Sequence, residues 1–220
     1  MISNKFIVQV SQHFHILKSI DNVVKLSKYT IPLENNLGFL LPACKLHFRN
    51  KKLISLLAEW RSKNSFAFPT RFKITNKGTI NWLENNVYKN EGRILFFVLD
   101  DSKVPVGHLG YANCINDDKF MEIDNVVRGV KKGNNGIMTS AMKSLLKWGL
   151  DSFSPSRIYL RVFSDNEHAI SFYRKLGFLD SRVIPLYKFE KPGLEYYEPI
   201  DGETTKNPEK YYLEMIYKNN

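Results

Sequence analysis

Apolar positions along this chain change their period several times, and each change marks an element. In KKLISLLAEWR, Leu53, Leu56, Leu57 and Trp60 fall on one face at helical spacing, which predicts a helix over Lys51–Arg61. A second helix is predicted from Thr79 to Tyr88, capped by KGT. Three strands follow in RILFFVL, VPVGHLGYA and KFMEIDNVV, then a helix from about Ile137 to Leu150, the strand RIYLRVF and a further helix. Before that last helix SDNE reads as a capping box, with Ser164 as N-cap and Glu167 reaching back, while Gly177 suits the left-handed position past its end. The chain closes with strand-like RVIPLYKF, a loop from Lys191 to Pro208 rich in charge, Pro and Gly, and a final strand YYLEMIY. Residues 1–45 are less patterned: a short strand from Phe6 to Val10, an irregular stretch, and NNLGFLLPA, a turn at Asn36–Gly38 before a buried run. The expectation is a mixed α and β chain without internal repeats, with residues 1–45 an N-terminal extension packing on a domain over 46–220.

Composition narrows the setting. With 220 residues, 43% apolar and 13% aromatic, the chain can bury a full core as one domain. Its 32 basic against 22 acidic residues give a formal charge of +10, which favours an anionic partner such as a phosphorylated cofactor, nucleotide, nucleic acid or acidic membrane. Cys44 and Cys114 lie far apart with no C-x-x-C pair and no His at metal spacing, so neither a disulfide scaffold nor a metal site is expected. Neither a cleavable leader nor a run of about 18 apolar residues is visible, so the expectation is a cytoplasmic protein with no membrane association.

The stretch EIDNVVRGVKKGNNGIMTSAM carries the strongest local signal. A helix normally gains from acidic residues in its first turn, yet no Asp or Glu occurs from Asn125 through Leu150. Instead Arg128, Lys131 and Lys132 crowd the entry, and Gly133 and Gly136 let a ligand approach the backbone. This suits phosphate at a helix N-terminus; the alternative is an ordinary basic surface turn. Neither G-x-x-x-x-G-K-[ST] nor G-x-G-x-x-G after a first βα unit is present.

Joined to IYLRVFSDNEHAISFYRKLGF downstream, the tract resembles the acyl-CoA-binding motifs of the GNAT superfamily of N-acyltransferases. The first motif is matched with departures: Lys132 stands for the usual Arg or Gln, the loop is one residue longer, and Met138 replaces a Gly or Ala. The second is matched in type, order and spacing, and the resemblance covers about residues 46–180. It implies the GNAT fold, an α/β (α+β) architecture with a mixed, mostly antiparallel sheet of about six to seven strands, splayed in the middle and flanked by helices. Acyl-CoA would lie in the split, held by Val126, Val127, Arg128, Lys132, Gly133, Asn134, Asn135, Gly136, Ile137, Met138, Asn166 and Tyr173. Pantetheine amides could pair with unpaired strand backbone there, and the freed N–H groups could stabilise an oxyanion.

Chemical roles follow from the same resemblance. Tyr173, two helical turns past Asn166, is the expected proton donor to the departing thiolate, against a packing role on the Ala169, Phe172, Leu176 stripe. Glu122 and Asp124 alternate onto one strand face and are the candidate bases; His108 is a lesser one. Cys114 reads as a buried thiol. The reaction expected is direct transfer of an acetyl or other short acyl group to a primary amine within a ternary complex.

The acceptor would enter beside WRSKNSFAFPTRF and the loop before the last strand, with Trp60, Arg61, Phe68 and Arg71 as its binding residues. The wording of this segment resembles GNAT enzymes acting on nucleotide-linked amino sugars for surface polysaccharide. Protein N-termini, polyamines or antibiotics are alternative acceptors. A basic nucleic-acid-binding module and a GNAT fold reduced to a regulatory domain are rival readings, nucleic acid being the disfavoured partner, and a homodimer is left open.

Overall fold

The structure is a computed structural model that describes residues 4–130 and 135–218. The chain opens with a helix, α1 (Lys5–Lys18), where the sequence pattern suggested a strand over Phe6–Val10. Phe6, Val10, Phe14 and Leu17 are buried while Val8 is 36% exposed, so the apolar stripe has helical and not strand period. The Asn4 side chain accepts the Phe6 N–H and closes the first turn. There follow α2 (Val23–Ser27), β1 (Ile31–Pro32), β2 (Gly38–Pro42), α3 (Lys51–Lys63), β3 (Thr70–Phe72) and α4 (Asn76–Trp82), which widens into a π turn over Leu83–Tyr88. Thr75, not the KGT segment, caps α4 by accepting the Gly78 N–H. Then come β4 (Ile94–Asp100), β5 (Pro105–Ala112), β6 (Phe120–Arg128), α5 (Ile137–Phe153), β7 (Arg157–Phe163), α6 (Glu167–Lys175), β8 (Phe178–Lys191), β9 (Leu194–Glu198) and β10 (Lys210–Tyr217).

Among the described residues these strands form one ten-stranded sheet in the order β1-β2-β4-β5-β6-β7-β10-β8-β9-β3, larger than the six to seven expected. The additional strands are short. β9 lies inside the segment read as a loop, where Leu194–Glu198 pairs with both β8 and β3. Its Pro- and Gly-bearing flanks masked it in the sequence. All neighbours are antiparallel except β6 and β7. Because β2 pairs with β4 across five residues, the first 45 residues contribute to the same sheet as the rest.

Among the described residues two large cores sandwich the sheet, and a small third cluster gathers Phe163, Leu186 and Tyr197. On one face α1, α5 and α6 pack over a cluster that includes Phe14, Phe96, Leu109, Tyr111, Met142, Leu145, Tyr173, Phe178 and Met215. Trp148 of α5 meets Phe96 edge-on at 5.0 Å and Phe153 at 5.3 Å. Deleting a ring such as Phe14, which is fully buried, would cost on the order of 3–5 kcal/mol. On the other face Leu53, Leu57 and Trp60 of α3, with Leu83, cover Leu95, Phe97, Leu99 and Val127.

Candidate functional site

The parallel pair β6–β7 holds register from Phe120↔Arg157 to Ile123↔Leu160 and then ends, although both strands continue. Asp124–Arg128 therefore presents an edge that no β7 residue pairs with, and β7 stays bonded to β10 through Phe163. This is the split that the sequence led us to expect. At its root β6 carries a bulge: Asp124 opposes Gly110 and Val127 opposes His108, so Asn125 and Val126 together face one residue of β5. Asn125 adopts the left-handed conformation, φ 54°, which Asn tolerates better than most residues. His108 pins the bulge, its Nδ1–H donating to the Asn125 carbonyl at 2.8 Å. Burial lowers the His108 pKa to about 4, so the ring is neutral. Buried and committed to Asn125, it holds the strand in shape and is poorly placed to serve as a base.

Beyond the split the chain enters α5. Lys132, Gly133 and Asn134 lie outside the described residues. Gly136 caps the helix with φ 82°, a conformation that a Cβ would strain, and no side chain caps the first turn, which holds no acidic residue. Asn135 and Gly136 are exposed. Ile137 and Met138 point into the core, Met138 with its sulfur over Gly107, so their side chains pack and only their backbone is available to a ligand.

Across the split stand Asn166 and Tyr173. Asn166, not Ser164, is the N-cap of α6: its Oδ1 accepts the Ala169 N–H at 3.2 Å, because the helix begins two residues later than the SDNE box suggested. Tyr173 is 8% exposed against Phe172 and Phe178. Burial, and then the charge of Asp124, push its phenol well above the ordinary value, which keeps it protonated.

The two carboxylates have different surroundings. Glu122, 6% exposed, is held by Arg161 through two bonds of 2.8 and 2.9 Å, by Tyr159 at 3.2 Å and by Asn113. Burial works against the Arg161 guanidinium, yet its bonds to Glu122 outweigh this and raise its pKa. Burial and the Glu122 charge push Tyr159 up to about 12. Asp124 pairs with Arg93 at 2.8 Å and accepts from Asn125 at 2.6 Å, both through Oδ2, and keeps 29% of its side chain exposed. Of the two, only Asp124 reaches Tyr173 electrostatically. Arg93, Arg161, Tyr159 and Asn113 were not foreseen. Arg161 and Tyr159, polar residues alternating in an otherwise apolar strand beside Glu122, were the signal available.

The residues expected to bind the acceptor come together only in part. Trp60 is 2% exposed, stacked on His108 at 6.1 Å and close over Gly129, where a Cβ would strike the indole; it is a core residue. Arg61 stacks on Phe68 at 3.7 Å, and its Nη2 donates to the Thr70 carbonyl at 2.7 Å, while Nη1 has no partner among the described residues. Burial lowers its pKa to about 10. Arg71 bonds Glu195 at 3.1 Å and lies over Tyr197, an arrangement created by β3 pairing with β9. The helix-pair loop and the segment before the last strand thus meet at one edge. Among the described residues no group of three His, Cys, Asp or Glu side chains could hold a metal ion, and no helix is long and apolar enough to cross a membrane.

A family model described as the acetyltransferase (GNAT) family matches residues 53–178, more than half of the chain. No curated protein sequence matches it. Among solved structures, a probable GNAT-family acetyltransferase from Chromobacterium violaceum is similar with TM-score 0.61 at 18% identity, over 85% of this chain and 84% of that one. The ribosomal L7/L12 alpha-N-protein acetyltransferase RimL gives 0.62 at 14% identity, over 85% and 92%. Spermidine N-acetyltransferase from Vibrio cholerae, solved with CoA and spermine, gives 0.53 at 13% identity, over 80% and 92%. At these identities the likeness is one of fold.

Proposed function

The chain belongs to the GNAT acetyltransferase family and is an acyl-CoA-dependent N-acetyltransferase acting on an amine, and from that premise we propose that its acceptor is the amino group of a nucleotide-linked amino sugar used in surface polysaccharide. The observation that carries the site assignment is the β6–β7 split with its bulge at Asn125, which leaves β6 beyond Ile123 without a β7 register partner, next to a glycine-led helix start. Pantetheine amides can pair with that edge, and the α5 N-terminus suits the pyrophosphate, with Lys132, Gly133, Asn134, Asn135 and Gly136 as the loop.

The transfer forms a C–N bond at the thioester carbonyl and breaks its C–S bond. Val126, without a register partner on either side, donates its N–H to the developing oxyanion. Tyr173 gives its phenolic proton to the leaving sulfur. Asp124, a partly exposed carboxylate whose bonds to Arg93 and Asn125 both use Oδ2, takes the proton lost by the amine through Oδ1; Glu122, saturated by Arg161, Tyr159 and Asn113, holds Arg161 in place. Asn166 keeps its amide N–H groups for the cofactor arm while its oxygen caps α6.

Support for an anionic acceptor with a flat ring comes from the α3–β3 segment. Arg61, stacked beside Phe68 and Phe72, holds a positive charge at this edge, and Phe66 and Phe72, 61% and 45% exposed, are faces on which a base can stack. The test is mass spectrometry of products after incubation with acetyl-CoA and separate nucleotide-linked amino sugars, polyamines and N-terminal peptides. Acetylation of an amino sugar is expected. Turnover confined to a polyamine or peptide would overturn the acceptor assignment and leave the enzyme class standing.

A further inference from the structure

The sheet face that carries Glu122 and Asp124 is covered by α3 and α4 over β2 and β4 to β6. It continues over β7, β10, β8 and β9 as Tyr159, Arg161, Phe163, Tyr212, Glu214, Arg182, Lys188 and Tyr197. At its centre the Tyr212 ring, half-buried, stacks on Phe163 at 5.1 Å with the planes 19° apart, and Arg161 lies 5.8 Å from the ring centroid. The Tyr212 hydroxyl has no hydrogen-bond partner among the described residues. Burial raises its pKa to about 12, with Glu122 and Asp124 adding to the shift and Arg161 opposing it, so the ring lies within electrostatic reach of both carboxylates at the split.

Charges around this ring come in pairs. Arg161 is matched by Glu122, Arg182 by Glu214 at 3.0 Å, Lys210 by Asp165 at 3.1 Å, Arg71 by Glu195 at 3.1 Å, and Lys188 by Glu190 and Glu195 at 2.6 and 2.9 Å. A polyamine would be drawn by carboxylates left unpaired, and a phosphate by unpaired cations. Balanced pairs offer fixed donors and acceptors side by side with little net field. That suits a polyhydroxylated ring, each of whose hydroxyls both donates and accepts, lying on an aromatic face.

We infer that Tyr212 is the platform on which the sugar ring of the acceptor lies, between the Glu122–Arg161 pair and the Asp165–Lys210 pair, and that it sets specificity for a sugar amine over a plain alkylamine. This rests on the amino-sugar reading above. The nucleotide then extends toward Arg61 and the exposed phenylalanines, and the amine toward Asp124.

The experiment compares kcat/KM for a nucleotide-linked amino sugar and for butylamine in the wild type, Tyr212→Ala and Tyr212→Phe, with the KM for acetyl-CoA as the check that each variant is folded. Tyr212→Ala is expected to lower the sugar-to-alkylamine ratio of kcat/KM roughly tenfold, and Tyr212→Phe, which keeps the ring, to restore most of it. An equal change for both amines, or none for either, overturns the platform while leaving the amino-sugar reading intact. If the wild type acetylates butylamine but no amino sugar, the reading itself falls, and this inference with it.

Discussion

The Arg161 guanidinium grips both carboxylate oxygens of Glu122 at 2.8 and 2.9 Å, across the point where β6 and β7 part. Glu122 sits one residue before the final pair and Arg161 one residue after it, so the bridge closes the fork and fixes its depth. Breaking a fully buried pair costs roughly 3–5 kcal/mol because the remaining charge is left without a partner, and the partial exposure of Arg161 puts this one at the lower end. Glu122→Gln is therefore expected to lower the unfolding free energy measured in urea by that order and to leave the shape of the kcat–pH profile unchanged. Asp124→Asn should do the reverse: modest loss of stability and a drop in kcat of about 10²-fold or more. Loss of the rising limb of the profile in Glu122→Gln would return the base to Glu122.

Tyr173 lies against Phe172 and Phe178, so a phenylalanine fills its place without a cavity. Only the hydroxyl is lost. If it protonates the leaving sulfur, Tyr173→Phe should lower kcat by about 10²-fold while the KM for acetyl-CoA moves less than threefold. Thiol release under saturating amine measures both. A variant with wild-type kcat would show that packing is the whole role of this ring.

Much of this was legible in the sequence, for identifiable reasons. Strands such as RIYLRVF and the helix face of Leu53, Leu57 and Trp60 have a local period that matches their burial, so their types were readable. So were the entry to α5, where acidic residues are missing from a first turn, and the Asn166–Tyr173 spacing. The Phe6–Val10 segment was not, because a β-branched local run competed with a stripe whose partners, Phe14 and Leu17, lie beyond it. β3 and β9 were hidden for another reason: they are three and five residues long, and β3 is a strand only because it pairs with β9 across 124 residues. The ion pairs had the same character. Nothing near Glu122 in the chain announces Arg161, which is 39 residues away, and the burial that disqualifies Trp60 as a ligand depends on contact with His108 and Gly129.

Lys18 ties α1 to the segment that follows α4. Its ammonium, 4% exposed, donates to the carbonyls of Val87, Asn90 and Arg93 at 3.3, 2.7 and 3.2 Å. Replacing it with Met keeps the stem and leaves three buried acceptors without this donor. Lys18→Met should cost about 1–3 kcal/mol and speed amide exchange in Leu83–Tyr88 more than in β5. Uniform loss of protection would instead make α1 part of a single cooperative unit with that segment.

Two buried imidazoles give stability a pH dependence whose sign is fixed. His47 and His108 have folded pKa values lowered to about 4, largely by burial, against 6.5 for an exposed ring. Between those values the unfolded chain binds protons that the folded chain refuses. Their contribution is therefore complete above about pH 6.5 and is lost progressively as pH falls toward 4. Taking the sample from pH 7 to pH 5.5 should cost roughly 1 kcal/mol for each ring, before the carboxylates begin to titrate. His108→Gln can keep a hydrogen bond to the Asn125 carbonyl while removing one titrating group, so urea midpoints at the two pH values should differ by about half the wild-type amount. The same variant reads out function, since a glutamine that holds the Asn125 bulge less rigidly should raise the KM for acetyl-CoA at pH 7.5, where no imidazole charge is involved. An unchanged pH slope in His108→Gln would mean that the ring is already solvated in the folded protein and does not anchor the bulge.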